Sequence, residues 1–111
     1  MNVKETKRNI TQLGLNNWIV YRHIRLDKNI PFYIGIGKDI SRPYNKKDRS
    51  NFWKSITGKT GYIVEILFNN LTKDQAIEKE IEFIALYGRV DLKTGSLCNM
   101  TRGGGEKGQV Y

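Results

Sequence analysis

Two tyrosines, one glutamate and a run of cations are the residues of this chain whose chemistry goes beyond packing. Tyr21 closes the segment Ile19-Val20-Tyr21, and Tyr33 opens Tyr33-Ile34-Gly35. Each segment reads as a short strand, and residues of turn character, Leu26 to Pro31, lie between them. Pairing of the two strands brings the phenols together on one small sheet. Such a pair is either packing or, on a small basic protein, the floor of a phosphate-cleaving site. Glu80 stands out for a different reason. At about 100° per residue, Ile77, Ile81 and Ile84 form the apolar stripe of a helix, widened by Ala76, Phe83 and Tyr87, and Glu80 falls inside that face. Glu78 and Glu82 point away from it. A carboxylate on a buried stripe must be paired, protonated or bound to a cation. Two readings follow. Glu80 forms a structural ion pair with a Lys or Arg, or it holds a hard cation such as Mg²⁺, which binds one or two carboxylates together with phosphate oxygens and water. Glu65, between Ile63 and Leu67, is the second candidate and reads as an ion-pair partner.

Lys38, Arg42, Lys46, Lys47, Arg49 and Lys54 cluster between the second and third expected strands. Arginine suits two-pronged phosphate contact and stabilises charge that builds on phosphorus. Lys46, Lys47 and Lys54 read equally as a solvated face or as contacts to a nucleic-acid backbone. Arg42, close behind the Tyr33 strand, reads as a site residue. Across the whole chain, nineteen Lys and Arg stand against eleven Asp and Glu, a net charge of +8. That balance favours a polyanionic partner, with nucleic acid first and an anionic membrane surface second.

The elements that must position these residues are legible in the hydrophobic pattern. Trp18 to Arg25 alternates as a strand, with Trp18, Val20, Arg22 and Ile24 on one face and Ile19, Tyr21, His23 and Arg25 on the other. Phe32 to Ile36 is a second strand, with Phe32, Ile34 and Ile36 apolar on one face. Tyr33 and Gly35 share the opposite face, where Gly35 leaves open space beside Tyr33. Asp39 or Ser41 suits the cap of a short helix, in which Pro43 fits a first turn or a break. Asp48 to Ile56 reads as a helix with Phe52, Trp53 and Ile56 at core spacing, ended by Gly58 and Gly61. Tyr62 to Phe68 is a third strand, with Tyr62, Val64, Ile66 and Phe68 on one face. Thr72 caps a longer helix, with Gln75 as its capping-box partner, and Gly88 stops it after Tyr87. The order predicts an α+β fold, a small three-stranded antiparallel sheet flanked by helices.

The chain's 111 residues fit one domain. Residues 1–17 read as an N-terminal extension, a short helix or a loose segment, and 18–102 as the domain. Residues 103–111 read as a Gly-rich tail. No apolar run has the length of a membrane helix, and Met1 to Leu13 lacks the apolar centre of a signal peptide. A cytoplasmic location without membrane attachment is expected. The lone Cys98 rules out an internal disulfide, and no Cys/His cluster has zinc spacing.

These residues, in this order, resemble the GIY-YIG nuclease family, in a small single-domain form of phage or bacterial type. Ile19-Val20-Tyr21 stands at the first half of the name motif, with Ile19 in place of its glycine and Val20 in place of its isoleucine. Tyr33-Ile34-Gly35 matches the second half letter for letter. The family's following arginine is similar to Arg42. Its helical Glu-x-x-apolar-Ile-x-x-Tyr pattern resembles Glu80 to Tyr87, and its late asparagine resembles Asn99, in Leu97-Cys98-Asn99-Met100-Thr101-Arg102. The position after the arginine, often His or Tyr in the family, is contested here by Tyr44 and Lys46.

The resemblance implies a divalent-metal-dependent endonuclease that hydrolyses DNA phosphodiester bonds, RNA remaining open, as a monomer or homodimer. Glu80 would hold one Mg²⁺ or Mn²⁺ against the scissile phosphate. Tyr21 would be the general base, with nearby cations favouring its phenolate against an ordinary pKa of about 10. Tyr33 would position water or phosphate, and Arg42 would stabilise the pentacovalent state. His23, on the Tyr21 face, would relay a proton or contact substrate. Tyr44 and Asn99 complete the expected catalytic set, and Lys38, Lys46, Lys47, Arg49, Lys54 and Arg102 are the expected nucleic-acid contacts. Two rivals remain: a non-catalytic nucleic-acid-binding module on the same fold, and a basic structural or ribosome-associated protein.

Overall fold

The structure is a computed structural model, and it describes residues 15–104. Of the expected N-terminal extension and Gly-rich tail, residues 1–14 and 105–111 lie outside the described residues. Strand β1 spans Trp18–Arg25, β2 spans Ile30–Gly37 and β3 spans Tyr62–Leu71. They form one antiparallel sheet in the order β2-β1-β3. Helix α1 spans Asn51–Thr57 and helix α2 spans Lys73–Tyr87. The result is the small α+β fold that the pattern predicts. None of the described helices is long and apolar enough to cross a membrane.

The sheet is covered on both sides. On one face, Trp18, Val20, Ile34 and Ile36 pack with Ala76 and Ile84 of α2 and with Leu97. On the other, Phe32 packs with Trp53 and Ile56 of α1 and with Cys98. Strict alternation assigns Phe32 to the first face. A β-bulge moves it. His23 pairs with Tyr33 and Ile24 with Pro31, so Phe32 has no partner on β1 and its ring joins the α1 side. A second irregularity sets Val20 opposite Phe68 but Tyr21 opposite Ile66. One residue more on β3 carries Phe68 away from the Tyr62 face, and its ring meets the edge of Phe83 on α2, with centroids 5.4 Å apart. A bulge of this kind re-aims side chains that period-2 reasoning places wrongly.

Helix boundaries follow the capping chemistry. The hydroxyl of Thr72 accepts the Gln75 N–H at 3.1 Å, and the Gln75 side chain accepts the Thr72 N–H at 3.0 Å. Gly88 ends α2, its N–H reaching Ile84 O. Helix α1 starts later than the expected Asp48, because Asp48 adopts a left-handed φ of 57°. Ser50 is the cap, its hydroxyl accepting the Trp53 N–H at 3.1 Å. Before it, the expected short helix is a single 3-10 turn, Arg42–Tyr44, with Pro43 in its first turn. Ser41 holds the cap position without a side-chain cap bond, and the Asp39 carboxylate instead accepts the Ser41 N–H and hydroxyl.

The outer edge of β2 is closed by residues 97–99. Cys98 donates to Phe32 O at 2.7 Å, and the side chain of Asn99 accepts from Ile34 N and donates to Ile34 O, at 3.0 and 2.8 Å. The amide of Asn99 thus serves as the missing strand partner of Ile34. Glu65 pairs with Arg22 at 2.7 Å, as its sequence position suggests.

Thr72→Ala removes one half of the capping box. It is expected to lower the unfolding free energy by about 1 kcal/mol, read from a urea transition; an unchanged midpoint would contradict this account of the helix start.

Candidate active site

Tyr21 lies near the middle of β1, opposite Gly35 of β2, and is 1% exposed. The Tyr21 and Tyr33 rings are 6.1 Å apart, so the paired-phenol geometry expected of the hairpin is present. Gly35 does not leave open space. A Cβ there would lie 2.5 Å from the Tyr21 hydroxyl oxygen and 2.8 Å from Cε2 of Tyr33. Both rings already fill the volume that a larger residue would need.

The cation at Tyr21 is Arg49. Its Nη1 donates to the Tyr21 hydroxyl at 3.0 Å, and its guanidinium carbon sits 5.3 to 5.8 Å from the Tyr21, Tyr33 and Trp53 ring centres. Nη2 donates to Arg42 O at 2.8 Å and Nε to Asn45 O at 3.0 Å. Arg49, expected among the nucleic-acid contacts, is buried beside Tyr21. Arg42 is buried as well, but its fork faces its own loop. Nη1 donates to Lys47 O at 2.9 Å, Nη2 makes a longer 3.4 Å contact to Asp48 O, and buried Nε has no partner. Nothing in the sequence separates Arg49 from its basic neighbours, since its burial depends on a loop whose path is fixed by tertiary contacts.

His23 is fully buried and engaged at both nitrogens. Trp53 Nε1–H donates to Nδ1 at 3.0 Å, so Nδ1 carries the lone pair and the proton sits on Nε2, which donates to Pro43 O at 2.8 Å. The ring has no nitrogen left for a relay. It couples α1, β1 and the 42–44 turn, and burial pulls its pKa down to about 4. Asn99, likewise expected in the catalytic set, is 8% exposed, and both ends of its amide are on the Ile34 backbone. It positions the segment that leads to Glu80.

Glu80 is 1% exposed, on the α2 side of the sheet. Burial is the main reason that the pKa values of Tyr21 and Tyr33 are raised, and the Glu80 charge adds a smaller push in the same direction. Oε1 accepts the Gly104 N–H at 3.1 Å. Gly103 has φ +91°, and a Cβ there would lie 2.9 Å from the same oxygen. Only glycine gives the carboxylate this clearance with this backbone. Glu78 and Glu82 are exposed, as expected. Among the described residues, no group of three or more His, Cys, Asp or Glu is placed to hold a metal ion by itself.

The expectation that nearby cations leave Tyr21 as phenolate is corrected. Burial outweighs Arg49 and Arg42 and holds the pKa above its ordinary value, so Tyr21 is a phenol at neutral pH. Burial also raises Tyr33, with the neighbouring Tyr21 adding to it. Cys98 is buried and pushed up to about 12, which leaves it a thiol rather than a nucleophile. Lys38, Lys46, Lys47, Lys54 and Arg102 are exposed, and Tyr44 stands out on the surface of its turn. Comparison with models of known families, with curated proteins and with solved structures finds no match to this chain.

His23 makes stability pH-dependent in a known direction. Its folded pKa of about 4 lies below the unfolded value of about 6.5. The unfolded chain takes up the proton first, so this contribution is complete above pH 6.5 and is lost as pH falls toward 4. The loss amounts to roughly 3 kcal/mol. Unfolding curves across that range, with NMR titration of the imidazole, check it; a His23 resonance titrating near 6.5 would contradict it.

Proposed function

We propose that this protein is a metal-dependent endonuclease of GIY-YIG type, acting on DNA phosphodiester bonds in the cytoplasm. The observation that carries the reading is the pairing of Tyr21 and Tyr33, ring centres 6.1 Å apart, with Arg49 donating to the Tyr21 hydroxyl and with Arg42 and Glu80 buried in the same small fold. Glu80 is a buried carboxylate whose Oε1 accepts the Gly104 N–H at 3.1 Å. One carboxylate fits Mg²⁺ or Mn²⁺ held otherwise by phosphate oxygens and water. Glu80 would be that ligand, with Gly103 and Gly104 keeping its oxygen clear and oriented. When bound, such a cation would neutralise charge on the scissile phosphate.

The chain's own groups supply the rest. Arg49 holds the Tyr21 oxygen through one lone pair, which leaves the phenol proton directed elsewhere. Arg49 and Arg42 both favour loss of that proton, working against burial. Tyr21 would then accept a proton from the attacking water, and Tyr33, packed beside it over Gly35, would orient water or phosphate. Arg42, buried with its fork on the loop carbonyls, would stabilise the pentacovalent state through its charge. Exposed Lys38, Lys46, Lys47, Lys54 and Arg102 would take the flanking phosphates.

A second reading, a nucleic-acid-binding module on the same fold, draws on the near-complete burial of Tyr21 and on the inward turn of the Arg42 fork. The two readings separate in one experiment. Duplex, single-stranded and branched DNA and RNA are incubated with Mg²⁺ or with EDTA. Glu80→Gln and Tyr21→Phe are expected to abolish Mg²⁺-dependent cleavage, and the wild-type rate should climb from pH 7 to 9 because the base is a raised phenol. Full activity in either variant contradicts the assignment. Salt-dependent binding with no cleavage of any substrate selects the module.

A further inference from the structure

The turn that carries Tyr44 is tied to the buried site by side-chain hydrogen bonds. Arg42 O accepts from Arg49 Nη2, Pro43 O from His23 Nε2, and Asn45 O from Arg49 Nε. Tyr44 N–H donates to Ser41 O, and the Asn45 side chain accepts the Lys47 N–H. Carbonyls on both sides of Tyr44 are therefore held by side chains buried in the site. The residue between them points outward: Tyr44 is 61% exposed, and Ile40, four positions earlier, is 58% exposed. Lys38, Lys46 and Lys47 are exposed on the same loop, while Asp39 is occupied by Ser41.

A single exposed apolar side chain needs no explanation. A rigidly mounted aromatic ring among cations, beside the proposed reaction centre, is a different feature. Base stacking on an exposed aromatic contributes about 1–3 kcal/mol per base and tolerates any sequence, while lysines hold the flanking phosphates. Inside an intact duplex the base faces are covered by their neighbours. A ring of this kind meets a base face without the cost of unstacking the duplex where a base is unpaired.

We propose that Tyr44 is a stacking platform for an unpaired nucleobase, and that the substrate is DNA carrying a bulge, flap or single-stranded stretch next to the cleaved bond. This rests on the nucleic-acid reading above. It moves Tyr44 from the expected catalytic set to substrate selection, because stacking uses the ring and not the hydroxyl.

Binding without cleavage tests it. In EDTA and at fixed salt, fluorescence anisotropy compares a duplex with the same duplex carrying a short thymidine bulge, and 2-aminopurine in the bulge reports stacking. Wild-type protein is expected to prefer the bulged duplex and to quench the 2-aminopurine. Tyr44→Ala should weaken bulge binding roughly ten- to hundredfold and leave duplex binding nearly unchanged. Tyr44→Phe should behave as wild type. Equal binding of the two DNAs by wild type, or equal loss on both in Tyr44→Ala, overturns the inference. A Tyr44→Phe variant as weak as Tyr44→Ala overturns it too, because the hydroxyl would then be the active group. Preference for the bulge without cleavage in Mg²⁺ would sink the nuclease reading alone. Failure to bind either DNA would sink both.

Discussion

The buried guanidinium of Arg49 is the interaction on which the site depends. A cation taken out of water is costly unless its donors are satisfied. Here three hydrogen bonds and three aromatic faces replace the lost hydration. The same contacts define geometry. One nitrogen fixes the Tyr21 hydroxyl, and two others hold the loop that carries Arg42 and Tyr44. Arginine suits this work because its donors form a planar fork that reaches several acceptors at once and because it stacks on rings. Lysine would offer a point charge without that reach.

Around this centre lies a supporting layer that fixes orientation without exposing itself. His23 joins Trp53 of α1 to the carbonyl of Pro43, so the helix, the central strand and the loop are tied together by one ring. The cost is a neutral imidazole that tolerates acid poorly. On the far side, Asn99 completes the edge of β2, and the chain then passes Gly103 and Gly104 against the Glu80 carboxylate. Glu80 belongs to the α2 side of the sheet and the tyrosines to the α1 side.

Much of this was readable in the chain, and the misses have physical causes. Strand β1, the capping box and the stop at Gly88 follow from local pattern and cap chemistry, which do not need the rest of the fold. Glu80 was readable because helical periodicity fixes which residues share a face. Phe32 and Phe68 were misplaced because bulges break the period of two. Arg49 resembled its exposed neighbours, since only the folded loop brings it over the rings. His23 and Asn99 were identifiable as polar residues near the site, but their partners, Trp53, Pro43 and Ile34, are distant in sequence. The phenol state of Tyr21 was misjudged because charge is visible in a sequence and the depth of burial is not.

The central claim is that Glu80 and the two tyrosines form one cation-dependent phosphate site. Paramagnetic broadening by Mn²⁺, recorded by NMR with a non-cleavable phosphorothioate DNA bound, tests it most directly. The account predicts broadening centred on the Gly104 amide and the Tyr21 and Tyr33 rings, abolished by Glu80→Gln. Broadening confined to exposed carboxylates such as Glu78 and Asp91, and unchanged in that variant, would contradict it.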